Sequence, residues 1–258
     1  MRKSLGQNFL NDNNILQKII KSVPTHLPIL EIGTGGGALT QGLAKCTSQP
    51  IYSYEIDFEW YTKTKKNLEN YPNLNFFNED FLKATIPLDT PFMVIANIPY
   101  YITSPIIDKC LSNPLVSGIY VMVQKEIATR ITASPGSKDY SSFSIFCQTR
   151  AKVKTLFTVA KTCFSPVPKV DSAFVELVPH DNFLKDIKNL DLYNSIIRSS
   201  FWGKRKTITN CLTKSPYLSL EKTTIENALN QVGISLQQRG EKIKIEDYIT
   251  LSNILSLK

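Results

Sequence analysis

The fold turns on one stretch, Leu30-Glu31-Ile32-Gly33-Thr34-Gly35-Gly36-Gly37-Ala38-Leu39-Thr40. An apolar run enters a glycine turn, and an amphipathic segment leaves it. Glycines at a strand-to-helix junction permit tight backbone geometry and let a ligand approach the main chain. Gly33, Gly35 and Ala38 also satisfy the dinucleotide pattern G-x-G-x-x-G/A, so the turn alone does not name its ligand.

Working outward, short apolar runs predict strands at 29–32, 51–56, 74–78, 92–96 and 118–123. Amphipathic stretches at 38–46, 58–70 and 105–112 fall between them. This alternation predicts an α/β fold, a parallel Rossmann-like sheet with helices on both faces. Runs at 153–159 and 173–178 follow one another without a helix, which suits an antiparallel edge. Past Pro179-His180 the strand signal fades, and helices are predicted at 190–200, 204–212, 222–231 and 246–255. Asp191 supplies an acidic first turn and Gly233 a stop signal. The expected domains are 1–180, carrying the sheet, and 181–258, a small all-helical domain.

The chain has 258 residues, 42% hydrophobic and 20% charged, enough for a sizeable core and unlike a disordered chain. No apolar run nears the roughly 18 residues of a spanning helix. The start, MRKSLGQNFLNDNN, has no apolar signal core, so a cytoplasmic protein without membrane association is expected. Five scattered cysteines form no CxxC pair and predict reduced, mostly buried thiols. His26 and His180 lie far apart beside prolines, so no metal site is expected. The net charge of +8 favours a polyanion such as nucleic acid, with plain solubility charge as the alternative.

The chemistry sits at the predicted strand ends. Glu55, 22 positions after Gly33, can accept from both ribose hydroxyls of NAD or of S-adenosylmethionine. Asp57 is a second choice for that role. Asp80, in Asn78-Glu79-Asp80-Phe81, can accept from an adenine amine while the Phe81 N–H donates to the ring. The fourth of these strands ends in Asn97-Ile98-Pro99-Tyr100. An aromatic exocyclic amine is a poor nucleophile because its lone pair is delocalised. The Asn97 side-chain oxygen and the Pro99 carbonyl can each accept one amine hydrogen and aim that lone pair at a sulfonium methyl. Pro99 adds rigidity, and Tyr100 offers a flat face to a flipped base. Such catalysis is positioning and preorganisation, with no strong base required. A hydride-transferring NAD enzyme would fit the glycine turn and Glu55 but leaves this tetrapeptide unexplained.

With these residues in order, the sequence resembles the ribosomal RNA adenine dimethyltransferases. Leu5-Gly6-Gln7-Asn8-Phe9-Leu10 resembles that family's N-terminal motif, which closes over the cofactor. The segments 124–131 and 133–140, Phe164-Ser165-Pro166-Val167-Pro168-Lys169-Val170-Asp171-Ser172-Ala173 and Phe201-Trp202-Gly203-Lys204-Arg205-Lys206-Thr207 resemble the small-subunit (KsgA-type) branch. The resemblance implies that Asn8, Leu10, Gly33, Gly35, Glu55, Asp80, Phe81 and Asn97 bind S-adenosylmethionine. It implies N6,N6-dimethylation of two adjacent adenosines of small-subunit (16S) rRNA within a pre-assembled particle, by a monomer. Phe164, in a proline-framed loop, would stack on the flipped adenine opposite Tyr100. Lys204, Arg205 and Lys206 would meet RNA phosphates, with a solvated helix face as the alternative. Two departures stand out: Ser141-Ser142-Phe143-Ser144 where the branch usually carries Gly-Arg-Leu-Ser, and Gly240 where it often carries Ala. The rivals are a large-subunit enzyme of the macrolide-resistance type and a non-catalytic ribosome assembly factor.

Overall fold

The computed structural model describes residues 8–203 and 205–257. Its contacts divide into two compact units, Met1–Ala128 with Lys154–Pro179, and Thr129–Val153 with His180–Lys258.

The first unit is built on a seven-stranded sheet. Strands β2 (Ile29–Ile32), β3 (Ile51–Tyr54), β4 (Leu74–Phe77), β5 (Phe92–Asn97), β6 (Val116–Gln124), β7 (Ala151–Val159) and β9 (Ser172–Pro179) lie in the order β4-β3-β2-β5-β6-β9-β7. The first five run parallel, and β9 returns antiparallel to β6. β5 reads as a nearly continuous apolar run because both its faces are covered, and β2 does so but for Glu31; Ile29, Leu30, Val94 and Ile95 are fully buried. Burying each such side chain is worth about 1.5–3 kcal/mol. The switch of strand order between β3 and β5 about β2 places the β2 turn where open sheets bind ligands.

The helices α2 (Ala38–Cys46), α3 (Phe58–Asn67) and α4 (Thr103–Leu111) stand where amphipathic stretches predict them. α1 (Asn13–Ser22) is an addition to the sequence reading. Asp12 caps it by accepting from Asn14 N and Ile15 N at 2.9 and 3.1 Å, and Ile19 and Ile20 are its buried face. Gly42 of α2 abuts the tip of the Ile20 side chain, which a side chain at 42 would displace. A separate two-stranded sheet joins β1 (Phe9–Leu10) to β8 (Phe164–Ser165), with Leu10 opposite Phe164.

The second unit packs α7 (Leu190–Ser200), α8 (Ile208–Lys214), α9 (Lys222–Val232) and α10 (Ile245–Leu255) around Tyr193, Ile196, Leu229 and Tyr248. Tyr140 and Ile145 complete this core. The segment Thr129–Val153 therefore groups with the C-terminal helices, although linear order sets it among the strands. Its helix α6 (Ser142–Arg150) opens on a capping box: Ser144 Oγ accepts from Ser141 N at 2.9 Å, and Ser141 Oγ from Ser144 N at 3.3 Å. The departure at 141–144 thus starts a helix. α5 (Lys125–Ile131) follows directly from β6 and links the units in the chain. α8 starts at Ile208, after an N-cap at Thr207, so the helix expected from 204 begins later. Thr207 Oγ1 accepts from Asn210 N, which fixes that start.

Of the five free cysteines, Cys110, Cys147 and Cys211 are buried, Cys163 is half-buried and Cys46 is exposed. Burial pushes the Cys110 thiol up to about 12, which keeps it protonated and unreactive. Among the described residues, no helix is long and apolar enough to cross a membrane.

Candidate active site

The parallel register aligns Ile32 with Tyr54 and Ala96, and Tyr54 with Phe77. The residues just beyond these positions consequently gather at one edge of the sheet. They line a cavity of about 620 Å³, within the usual size of a small-molecule site.

The glycine turn forms one wall. Gly33 has φ +83°, and a Cβ there would lie 3.3 Å from the Asn97 carbonyl oxygen. Only glycine gives both that conformation and that approach. Gly35 is held from two sides: its N–H donates to Glu55 Oε2 at 2.8 Å, and its carbonyl accepts from Thr64 Oγ1 at 2.7 Å. Glu55, 5% exposed, also accepts from Asp57 N at 2.9 Å through Oε1. Burial raises its pKa, and the backbone N–H groups of Asp57, Gly35 and Ile56 pull the other way. A carboxylate has about four lone-pair sites, so these bonds leave capacity for a ligand. Asp57 is otherwise engaged: it caps α3 by accepting from Glu59 N at 3.0 Å.

Behind the turn lies Glu31, fully buried. Its Oε2 accepts from Thr40 Oγ1 at 2.7 Å and Ser53 Oγ at 2.6 Å, and Ser53 meets the Thr34 hydroxyl at 2.6 Å. Burial pushes its pKa up to about 7 against the pull of those hydroxyls. This network ties β2, β3 and α2 to the turn.

Asp80 and Phe81 line the cavity beyond β4. Asp80 Oδ1 accepts from Leu82 N at 3.0 Å, and Oδ2 has only a loose, exposed pairing with Lys83 at 3.9 Å. The turn is fastened by a residue that the sequence does not point to. Lys109 of α4 donates to the carbonyls of Phe81 and Ala84, both at 2.6 Å, and of Leu82 at 3.2 Å. In sequence it sits beside Asp108 in an amphipathic helix, where a lysine attracts no notice.

Asn97, Pro99 and Tyr100 enter the same cavity from the end of β5. No hydrogen bond among the described residues engages the Asn97 carboxamide. The Pro99 carbonyl accepts from Ile102 N at 3.2 Å and keeps a second lone pair. Tyr100 Oη lies 2.6 Å from Ser172 Oγ. Asn8, Leu10 and Phe164 reach the cavity from β1 and β8 and the residue preceding β1. Phe164 is 3% exposed and belongs to the buried cluster that also holds Phe174 and Val159. Trp60, which sequence reading passes over, lines the cavity too and meets Phe9 with ring centroids 4.8 Å apart.

All eleven cofactor and catalytic candidates thus share one cavity. Of the RNA-contact candidates, Arg205 and Lys206 belong to the second unit. Arg205 and Lys206 are exposed in the turn before α8, not on a helix face, and Lys204 falls outside the described residues.

Comparison with known proteins gives this cavity its context. The ribosomal RNA adenine dimethylase family matches residues 1–257. A ribosomal RNA small subunit methyltransferase A from Caldanaerobacter subterraneus is 39% identical, with 99% of this chain and 97% of that protein covered. Its counterpart from Bacillus pumilus is 40% identical, covering 98% and 91%. Among solved structures, a dimethyladenosine transferase from Plasmodium falciparum superposes with a TM-score of 0.81 at 28% identity, covering 94% and 95%. The 23S rRNA methyltransferase ErmE gives 0.71 at 29%, covering 96% and 99%. The chain belongs to the ribosomal RNA adenine dimethylase family of S-adenosylmethionine-dependent methyltransferases.

Proposed function

We propose that this enzyme dimethylates the exocyclic amines of two adjacent adenosines in small-subunit rRNA, acting as a cytoplasmic monomer on a pre-assembled particle. The observation that carries the reading is the unengaged Asn97 carboxamide beside the Pro99 carbonyl, in the cavity that also holds the glycine turn, Glu55 and Asp80. The small-subunit substrate is supported by two relatives of that name, 39% and 40% identical over nearly the whole chain.

The residues fit S-adenosylmethionine. A Cβ at Gly35 would lie 2.9 Å from the Phe9 ring, so the close packing of β1 on the turn depends on glycine. Gly33 and Gly35 would lie along the methionine portion, and Glu55 would accept from the ribose hydroxyls. Asp80 would accept from the adenine amine while Phe81 N–H donates to the ring. Asn8 and Leu10 would cover the ligand. Bound there, S-adenosylmethionine supplies a sulfonium methyl; its transfer to the acceptor nitrogen leaves S-adenosylhomocysteine and frees one amine proton.

The chain's own contribution is orientation. Asn97 and Pro99 accept the two amine hydrogens and turn the nitrogen lone pair toward the methyl. Tyr100 and Phe164 hold the base from its two faces. After one transfer a single hydrogen remains for these acceptors, and rotation about the C–N bond presents the lone pair again. Lys204, Arg205 and Lys206 would meet backbone phosphates, so affinity should fall steeply with salt.

The test is methyl transfer from labelled S-adenosylmethionine to unmethylated small-subunit particles, large-subunit particles and naked large-subunit rRNA, with mass spectrometry of the nucleosides. Dimethyladenosine confined to small-subunit particles is the expected result. Its appearance in large-subunit RNA would move the substrate to that of the ErmE-like branch. Tight particle binding without methylation would leave an assembly factor.

A further inference from the structure

We propose that Ser172 is a positioning residue for methyl transfer, holding the Tyr100 ring at the angle from which it meets the acceptor base. The inference rests on the reading of Tyr100 given above.

Three observations carry it. First, the Tyr100 hydroxyl and the Ser172 hydroxyl lie 2.6 Å apart across 72 residues of sequence. Second, Ser172 is fully buried and does not line the cavity, so it reaches the reaction only through Tyr100. Third, its own position is fixed on both sides. Ser172 pairs with Gln124 at the start of β9, the Asp171 carbonyl accepts from Lys125 N at 3.0 Å, and Asp171 Oδ1 accepts from Lys161 N at 3.0 Å.

Among the described residues, the Tyr100 side chain has no other hydrogen bond. It opens a single 3-10 turn, Tyr100–Ile102, and its neighbour Tyr101 is 65% exposed. A tyrosine in such a turn has several staggered rotamers open to it. A short bond to a rigid strand selects one. The segment from Phe164 to Ser172 therefore serves the reaction at both ends: Phe164 enters the cavity directly, and Ser172 sets the ring proposed to face it.

The experiment is a double-mutant cycle on kcat with small-subunit particles, using Ser172→Ala, Tyr100→Phe and the pair. Tyr100→Phe removes the same bond at a half-exposed position, so it does not depend on how β9 tolerates a change. Each single variant should lose kcat by about five- to twenty-fold, with KM for particles and the cofactor Kd within about two-fold. The pair should lose no more than the worse single variant. Losses that multiply, an unchanged kcat in Ser172→Ala, or a loss confined to KM or melting temperature would overturn the proposal. Absence of transfer by the unsubstituted enzyme would instead overturn the adenine-transfer reading, and this proposal with it.

Discussion

Glu31 shows how one carboxyl ties stability to pH. Its folded pKa of about 7 lies above the ordinary 4.5. Between those values the folded chain binds more protons than the unfolded one, so stability falls as pH rises. The loss is complete above about pH 7 and amounts to about 3 kcal/mol. Glu31→Gln should therefore melt higher than the parent at pH 8, with the advantage vanishing near pH 4. Calorimetric melts across that range check both ends. Asn97→Ala should abolish transfer while leaving particle binding nearly intact, and near-normal turnover would refute amine positioning. Glu55→Ala should weaken S-adenosylhomocysteine binding by about 1–3 kcal/mol, read by titration calorimetry.

At the scale of elements, caps decide where segments begin. Ser141→Ala removes one arm of the α6 capping box and should cost about 1 kcal/mol in denaturant unfolding. The sheet strands were readable because a strand buried on both faces writes a continuous apolar run, as Phe92–Asn97 does. The site residues at strand ends were readable for a related reason: parallel register carries successive strand ends to one edge. Other features were not readable. β1 and β8 have two residues each, too few for a period, and their pairing is set by distant packing. α6 was obscured because a serine-rich stretch suits a loop as well as a cap. Lys109 escaped notice because its partners are backbone carbonyls, which no side-chain pattern announces.

At the scale of the whole molecule, each unit carries its own core. In the helical one, Gly240 packs so closely that a Cβ would lie 2.8 Å from the Ser200 carbonyl oxygen and 2.9 Å from the Tyr248 hydroxyl. The Tyr248 hydroxyl also donates to the Gly240 carbonyl at 3.0 Å. Gly240→Ala, although it restores the residue common in the branch, should destabilise this chain by about 1–3 kcal/mol in thermal melts. Cofactor affinity, which depends on the other unit, should not change. The net charge of +8 belongs to this scale too. Raising salt should weaken particle binding log-linearly, and replacing Arg205 or Lys206 with Ala should reduce that slope by about one.

The pairing of Leu10 with Phe164 has a kinetic consequence. The strand proposed to lie over the cofactor is hydrogen-bonded to the strand whose phenylalanine walls the acceptor pocket. On that proposal, spent cofactor leaving beneath β1 would disturb that wall, and the adenine would lose one of its two faces at each exchange. Completing two dimethylated adenines takes four transfers, separated by three such exchanges. The enzyme should therefore work distributively: with particles in excess, singly methylated adenosine should build up on released particles before any dimethyladenosine appears.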